Sequence, residues 1–140
     1  MTALAITAAN VVWQSGPKAG DQVAGEAFDA GALIYKSPTT AKWLKAQCDG
    51  TAAEAGAEDL GMALATADGD GARITVALPD AIVAVGAGVA GIVYHPGATA
   101  GALVPTADLA STNKVTIAAI GIGSSKLKLA RVYDAGAVLA

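Results

Sequence analysis

The sequence predicts an all-β protein, a small β-barrel or tulip-like β-sandwich with short Gly-rich turns. Three observations lead there. Apolar residues recur with period two in several short runs, the spacing that puts every second side chain on one face of a strand. Between the runs lie SPTT, DGDG, HPGAT, STN and GSS, turn chemistry in which Gly supplies positive φ and Asp, Asn or Ser bond the local backbone. Only TAAEAGAEDLGMALA (51–65) reads as a helix, and its glycines cut it short.

Taken in order, TALAIT (2–7) and VVWQ (11–14) are weaker strand candidates. The break at Gly16-Pro17-Lys18-Ala19-Gly20 sets off residues 1–20, as an N-terminal arm or a first strand, from a β-rich domain over 21–140. GALIYK (31–36) and TAKWLKAQ (40–47) are strands, with Trp43 facing the core. Thr51 and Glu54 match a capping box. Gly56 and Gly61 each cost a helix interior ~1 kcal/mol, so at most a turn or two precedes a strand near Gly61, in LGMALAT. DGDG (68–71) is then a hairpin turn into ARITVALP (72–79), where Ile74, Val76 and Leu78 face one way and Arg73 and Thr75 the other. GIVYH (91–95) follows, then NKVTIAAIGIG (113–123), a β-branched run that reads as buried on both faces. In SKLKLARVY (125–133), Leu127, Leu129 and Tyr133 alternate with Lys126, Lys128 and Val132. Ala30 to Tyr35 also echoes Ala90 to Tyr94, each followed by a Pro-bearing turn; duplication and chance both explain the echo.

A length of 140 residues fits one domain. Net charge is −3 and no cluster of Lys or Arg stands out, which excludes the basic stripe a nucleic-acid binder needs. Ala supplies 35 residues, whereas Leu, Ile, Val and Phe together supply 32. Ala buries little apolar area, and each buried CH₂ contributes only ~0.8 kcal/mol, so the core is thin and self-association is the default expectation. The uncharged run from Ala81 to Ala107 is broken by Gly86, Gly88, Gly91, His95, Pro96, Gly97 and Gly101, which argues against a membrane span. The N-terminal MTALAITAANVV lacks a positive n-region and a cleavage site. Cys48 is the only cysteine, which leaves no internal disulfide and no Cys-based metal cluster.

Candidate chemistry is sparse. AIVAVGAGVAG (81–91) matches the GxGxxG spacing of a dinucleotide-binding turn through Gly86, Gly88 and Gly91. That reading requires a helix after the glycines, and IVYHPGATAG is β-branched and broken at Pro96 and Gly97, so no cofactor is expected. Against an EF-hand loop, Asp68, Asp70 and Gly71 leave Thr66 and Ala77 at the entry and bidentate positions, so no metal is expected either. His95 is the sole histidine, there is no GxSxG elbow, and His95 beside Pro96 reads as a turn residue. GSSK (123–126) lacks the P-loop spacing, and Glu54, Glu58 and Asp59 read as solvated in a loop. No catalytic residue emerges. Trp13, close to the terminus, is the candidate partner contact, because aromatic anchors dominate interface energetics.

From about Ala24 to Tyr133 the ordered pattern resembles the small β-rich capsid decoration (cement, or head-fibre-like) proteins of tailed bacteriophages. LGMALATADGDGARITV and GIVYHPGATAGALVPTADL carry the resemblance most specifically. It implies a non-enzymatic virion structural protein, made in the host cytoplasm, usually a homotrimer, seated on the outer capsid surface. There it would bind the major capsid protein and stabilise contacts between its subunits. The alternative expectation is a head-fibre or host-surface adhesion module that recognises glycans or a receptor.

Overall fold

Alternation along the chain resolves into strands in the computed structural model, which describes residues 4–48, 51, 53–86, 90–106, 109, 114–123 and 125–138. After a 3-10 turn at Ala8–Asn10 come β1 (Val12–Ser15), β2 (Lys18–Val23), β3 (Leu33–Lys36), β4 (Trp43–Lys45) and β5 (Leu60–Ala63). They are followed by β6 (Arg73–Ala77), β7 (Ile82–Ala84), β8 (Val93–Pro96), β9 (Leu103–Pro105), β10 (Lys114–Gly121) and β11 (Lys126–Val138). The strands form a six-stranded sheet, β1-β7-β11-β10-β8-β9, and a five-stranded sheet, β2-β6-β5-β3-β4. Every strand pair is antiparallel. The protein is all-β and sandwich-like, and neither sheet closes into a barrel. A lone parallel bridge from Ala24 to Trp43 draws the edges of the five-stranded sheet together at one end.

The two sheets are two versions of one motif. Replacing β2, β6, β5, β3 and β4 by β7, β11, β10, β8 and β9 reproduces the strand order of the second sheet, with β1 added outside β7. The register repeats as well. Leu33↔Met62 and Ile34↔Gly61 correspond to Val93↔Ile120 and Tyr94↔Ala119. Met62↔Ala77 and Ala63↔Val76 correspond to Ile120↔Lys128 and Gly121↔Leu127. Gly31 and Gly91 open the equivalent strands at φ +93 and +81, and each donates its N–H over 2.8 Å, to Ala63 O and Gly121 O respectively. Such a φ disfavours any residue with a Cβ, which explains why glycine stands at both places. The sequence echo is therefore structural, although the register aligns Tyr35 with His95 and not with Tyr94.

Period two then decides what each sheet buries. In the five-stranded sheet, Leu33, Tyr35, Leu60, Met62 and Ala77 pack against Val83, Tyr94, Ala119, Leu127 and Leu129 of the six-stranded sheet. The opposite face of the five-stranded sheet, with Ile34, Ala63, Ile74 and Val76, curls round Phe28 and Trp43 as a second core. One sheet is thus buried on both faces; the other is buried on its inner face and, at the β8–β9 end, on its outer face too, where Val104 beside His95 packs with Cys48 and Leu109. Trp43 reaches its core position with its Nε1 donating to Gln22 Oε1 at 3.0 Å.

Several expectations need correction. TALAIT forms no strand over the described residues 4–7; Leu4 only donates its N–H to Leu103 O. β2 spans the Lys18–Gly20 stretch that reads as a break, because its backbone pairs with β6 at Lys18–Ala19 and again at Gln22–Val23, with a bulge between them where Asp21 has φ +53. β4 is shorter than TAKWLKAQ, since Ala41 sits at φ +58 after a turn from Ser37. β10 is buried on both faces in its middle, where Ala118 and Ala119 point to opposite sides at 1% and 0% exposed, and it opens only toward its end, at Ile120. The capping box survives as a single turn: Glu54 N–H donates to Thr51 Oγ1 at 3.3 Å and Ala55 N–H to Thr51 O at 3.2 Å, before β5 begins at Leu60.

Candidate functional site

Trp13 lies on β1, the edge strand beside β7, in register with Val83, which is itself opposite Leu127. That row faces the core, so the indole is half-buried against it. Its Nε1 is buried and has no hydrogen-bond partner among the described residues. Lys18 Nζ stands 3.9 Å from the ring centroid, a cation–π contact of roughly 0.5–1 kcal/mol at an exposed site. The chain itself therefore uses both faces of this ring, one on the core and one under Lys18.

His95 is not a turn residue. It lies within β8 and is 3% exposed, paired with Val104 of β9, which itself packs with Cys48 and Leu109. Its Nδ1 stands 2.9 Å from Thr116 O, a carbonyl that can only accept, so Nδ1 carries the proton. Nε2 then accepts from Thr106 Oγ1 at 2.7 Å. Burial pushes the imidazole below the ordinary histidine range, while the bond to the Thr116 carbonyl works against that shift. The result is a neutral histidine that ties β8, β10 and the end of β9 together. Thr116 Oγ1 is buried beside it without a partner among the described residues.

The remaining motifs serve the fold in the same way. Gly86 and Gly91 bracket a connection from β7 to β8, strands separated in the sheet by β11 and β10. A strand follows, where a dinucleotide site requires a helix N-terminus to face the pyrophosphate. Gly88 lies outside the described residues. DGDG falls in the connection between the paired strands β5 and β6, and the Asp70 carboxylate accepts from Lys42 Nζ at 2.7 Å. Among the described residues no group of three His, Cys, Asp or Glu is placed to hold a metal, and no helix is long and apolar enough to cross a membrane. Glu54 is not simply solvated: it is half-buried and accepts from Gln47 Nε2 at 2.6 Å, whereas Glu58 and Asp59 are exposed. Cys48 is fully buried against Val104 and Leu109.

An open groove of about 600 Å³ runs past Leu4, Ile6, Phe28, Lys45, Thr66 and Asp68. Thr66 Oγ1 already accepts the Ala30 N–H at 3.2 Å, and Lys45 leans toward Glu26 at 3.8 Å. Its walls are otherwise largely Ala and Gly, which offer shape but few directional contacts. More informative is where large apolar side chains meet solvent. Val12, Ile120 and Val132 are 55%, 37% and 59% exposed, and all three sit on the six-stranded sheet, on β1, β10 and β11. Sequence reading does not single them out as a group, because β1 lies far in sequence from the consecutive strands β10 and β11. Against known protein families, curated proteins and solved structures, the chain finds no match.

Proposed function

We propose that this chain is a virion structural protein without enzymatic activity that binds the outer surface of a tailed-phage capsid, as a homotrimer, and stabilises contacts between major capsid subunits. Two things support the reading: the resemblance of residues 24–133 to capsid decoration proteins, and the exposed apolar residues gathered on one sheet of a rigid all-β scaffold. The second carries the interaction role: Val12 and Ile120 fall by register on the outer face of that sheet, and exposed apolar side chains sharing a face mark a place where a partner excludes water. A protein that binds only the assembled shell stabilises it by ~2.7 kcal/mol per site at a hundredfold excess over the dissociation constant. Three linked copies add avidity, because the second and third contacts are intramolecular.

The test is to strip particles of the protein, add it back, and follow both occupancy and the temperature at which the shell opens. Binding near the stoichiometry of the major capsid subunit, with a raised opening temperature, is the expected result. Sparse occupancy with no change in opening temperature supports the adhesion module instead. Light scattering after gel filtration should give about three times 13.6 kDa.

A further inference from the structure

We infer that the outer face of the six-stranded sheet is the docking surface, and that it takes an acidic surface of the capsid subunit; this rests on the function proposed above. The repeated motif is the first reason. Across the five-stranded sheet, Lys18, Ala77, Met62 and Leu33 form one row by register, and Met62, Ala77 and Leu33 are buried against the other sheet. The counterpart row of the six-stranded sheet is Ile82, Lys128, Ile120 and Val93. No sheet covers it. The motifs thus pack head to tail, which leaves this part of the outer face open, whereas the same face is buried farther along, at His95 and Val104.

The composition of that face says what fits it. Ile82 and Val93 are half-buried and Ile120 is more exposed, which gives an apolar stripe interrupted by Lys128. A second row, Val12, Ala84 and Lys126, adds another apolar residue and another exposed lysine. Neither lysine has an ion-pair or hydrogen-bond partner among the described residues, and neither row contains a carboxylate. Two cations without a partner among the described residues, set among aliphatic side chains, complement a surface of carboxylates and apolar groups.

A second copy of this chain fits poorly. Two such faces meeting about a two-fold axis set Lys126 and Lys128 against each other, a repulsive contact.

The experiment uses stripped shells and the full chain. Lys126→Glu combined with Lys128→Glu should weaken shell binding about tenfold or more, as reversing charges at a complementary interface does, while the double Lys→Arg variant binds like wild type. Lys42→Glu, remote on the five-stranded sheet, should change binding little. Acetylation rates of Lys126 and Lys128 in the unmodified protein give a second measure that no folding defect can disturb: both should fall when it is shell-bound. Equal binding by the double Glu variant, equal weakening by Lys42→Glu, or unchanged acetylation each overturns the inference and leaves the decoration role standing. A change of oligomeric state in the double Glu variant overturns it too, by making this face a contact between copies. Failure of the wild-type protein to bind shells overturns both readings.

Discussion

Gly61 tests how tightly the five-stranded sheet is built. It lies mid-way along β5, between Ile34 of β3 and the Val76–Ala77 segment of β6. A Cβ at this position would stand 2.6 Å from Ala77 O and 2.6 Å from Val76 Cγ1. Ordinary contact begins near 3.4 Å, so each neighbour would have to retreat by about 0.8 Å. Neither is free to do so: one is backbone in a paired strand, the other a fully buried β-branched side chain. Overpacking of this kind costs ~1–3 kcal/mol. Replacing glycine also removes disorder from the unfolded chain, which returns ~0.4–1 kcal/mol. The net expectation for Gly61→Ala is a loss of ~1–2 kcal/mol. For a domain of this size that is roughly 3–8 °C in melting temperature. Gly69→Ala is the control, because a Cβ there meets nothing within 4 Å; it should be neutral or slightly stabilising. Thermal unfolding followed by circular dichroism, with urea midpoints as a check, compares the two. If Gly61→Ala melts at or above the temperature of Gly69→Ala, the packing of β5 against β6 has been misjudged.

Other perturbations follow from the same structure. Thr116→Val replaces a buried hydroxyl lacking a partner by a methyl group of the same shape, and should stabilise the fold by ~1 kcal/mol, read as a higher urea midpoint. His95 is held neutral below the ordinary value of 6.5, so the unfolded chain takes up a proton first as pH falls. Stability should therefore decline from pH 6.5 down to the lowered native value and then level off as far as this group is concerned. His95→Gln should flatten that part of the pH profile, and an identical slope in both proteins would remove His95 as its source. Deleting residues 2–15 removes β1, frees the edge of β7 and uncovers the Val83–Leu127 row, so the truncated protein should lose at least ~2 kcal/mol and melt lower. Retention of full stability with loss of shell binding would instead make the segment an attachment arm.

The sequence by itself determined the class of fold, because strand periodicity is local. ARITVALP, and SKLKLARVY as far as Leu129, show which side chains share a face, and Gly and Asp mark the chain reversals, without knowledge of any neighbour; beyond Leu129 a register shift against β10 breaks the alternation expected of Tyr133. The capping turn at Thr51 and the core position of Trp43 are legible for the same reason. Tertiary structure decided the rest. β2 carries Gly20 and two charged residues and owes its existence to backbone pairing with β6, which no pattern of its own side chains announces. His95 sits beside a proline that suggests a turn, yet it is buried in a strand, paired with Val104, which packs with Cys48 and Leu109 from other parts of the chain. Leu33 at the start of β3 is fully buried while the matching Val93 of β8 is only half-buried, although LIYK and VYHP look alike. Which face of a sheet is covered depends on where the second sheet lands, and that contact joins residues far apart in sequence. The exposed row of Ile82, Lys128, Ile120 and Val93 arises the same way: four residues from four strands meet only through pairing across the sheet.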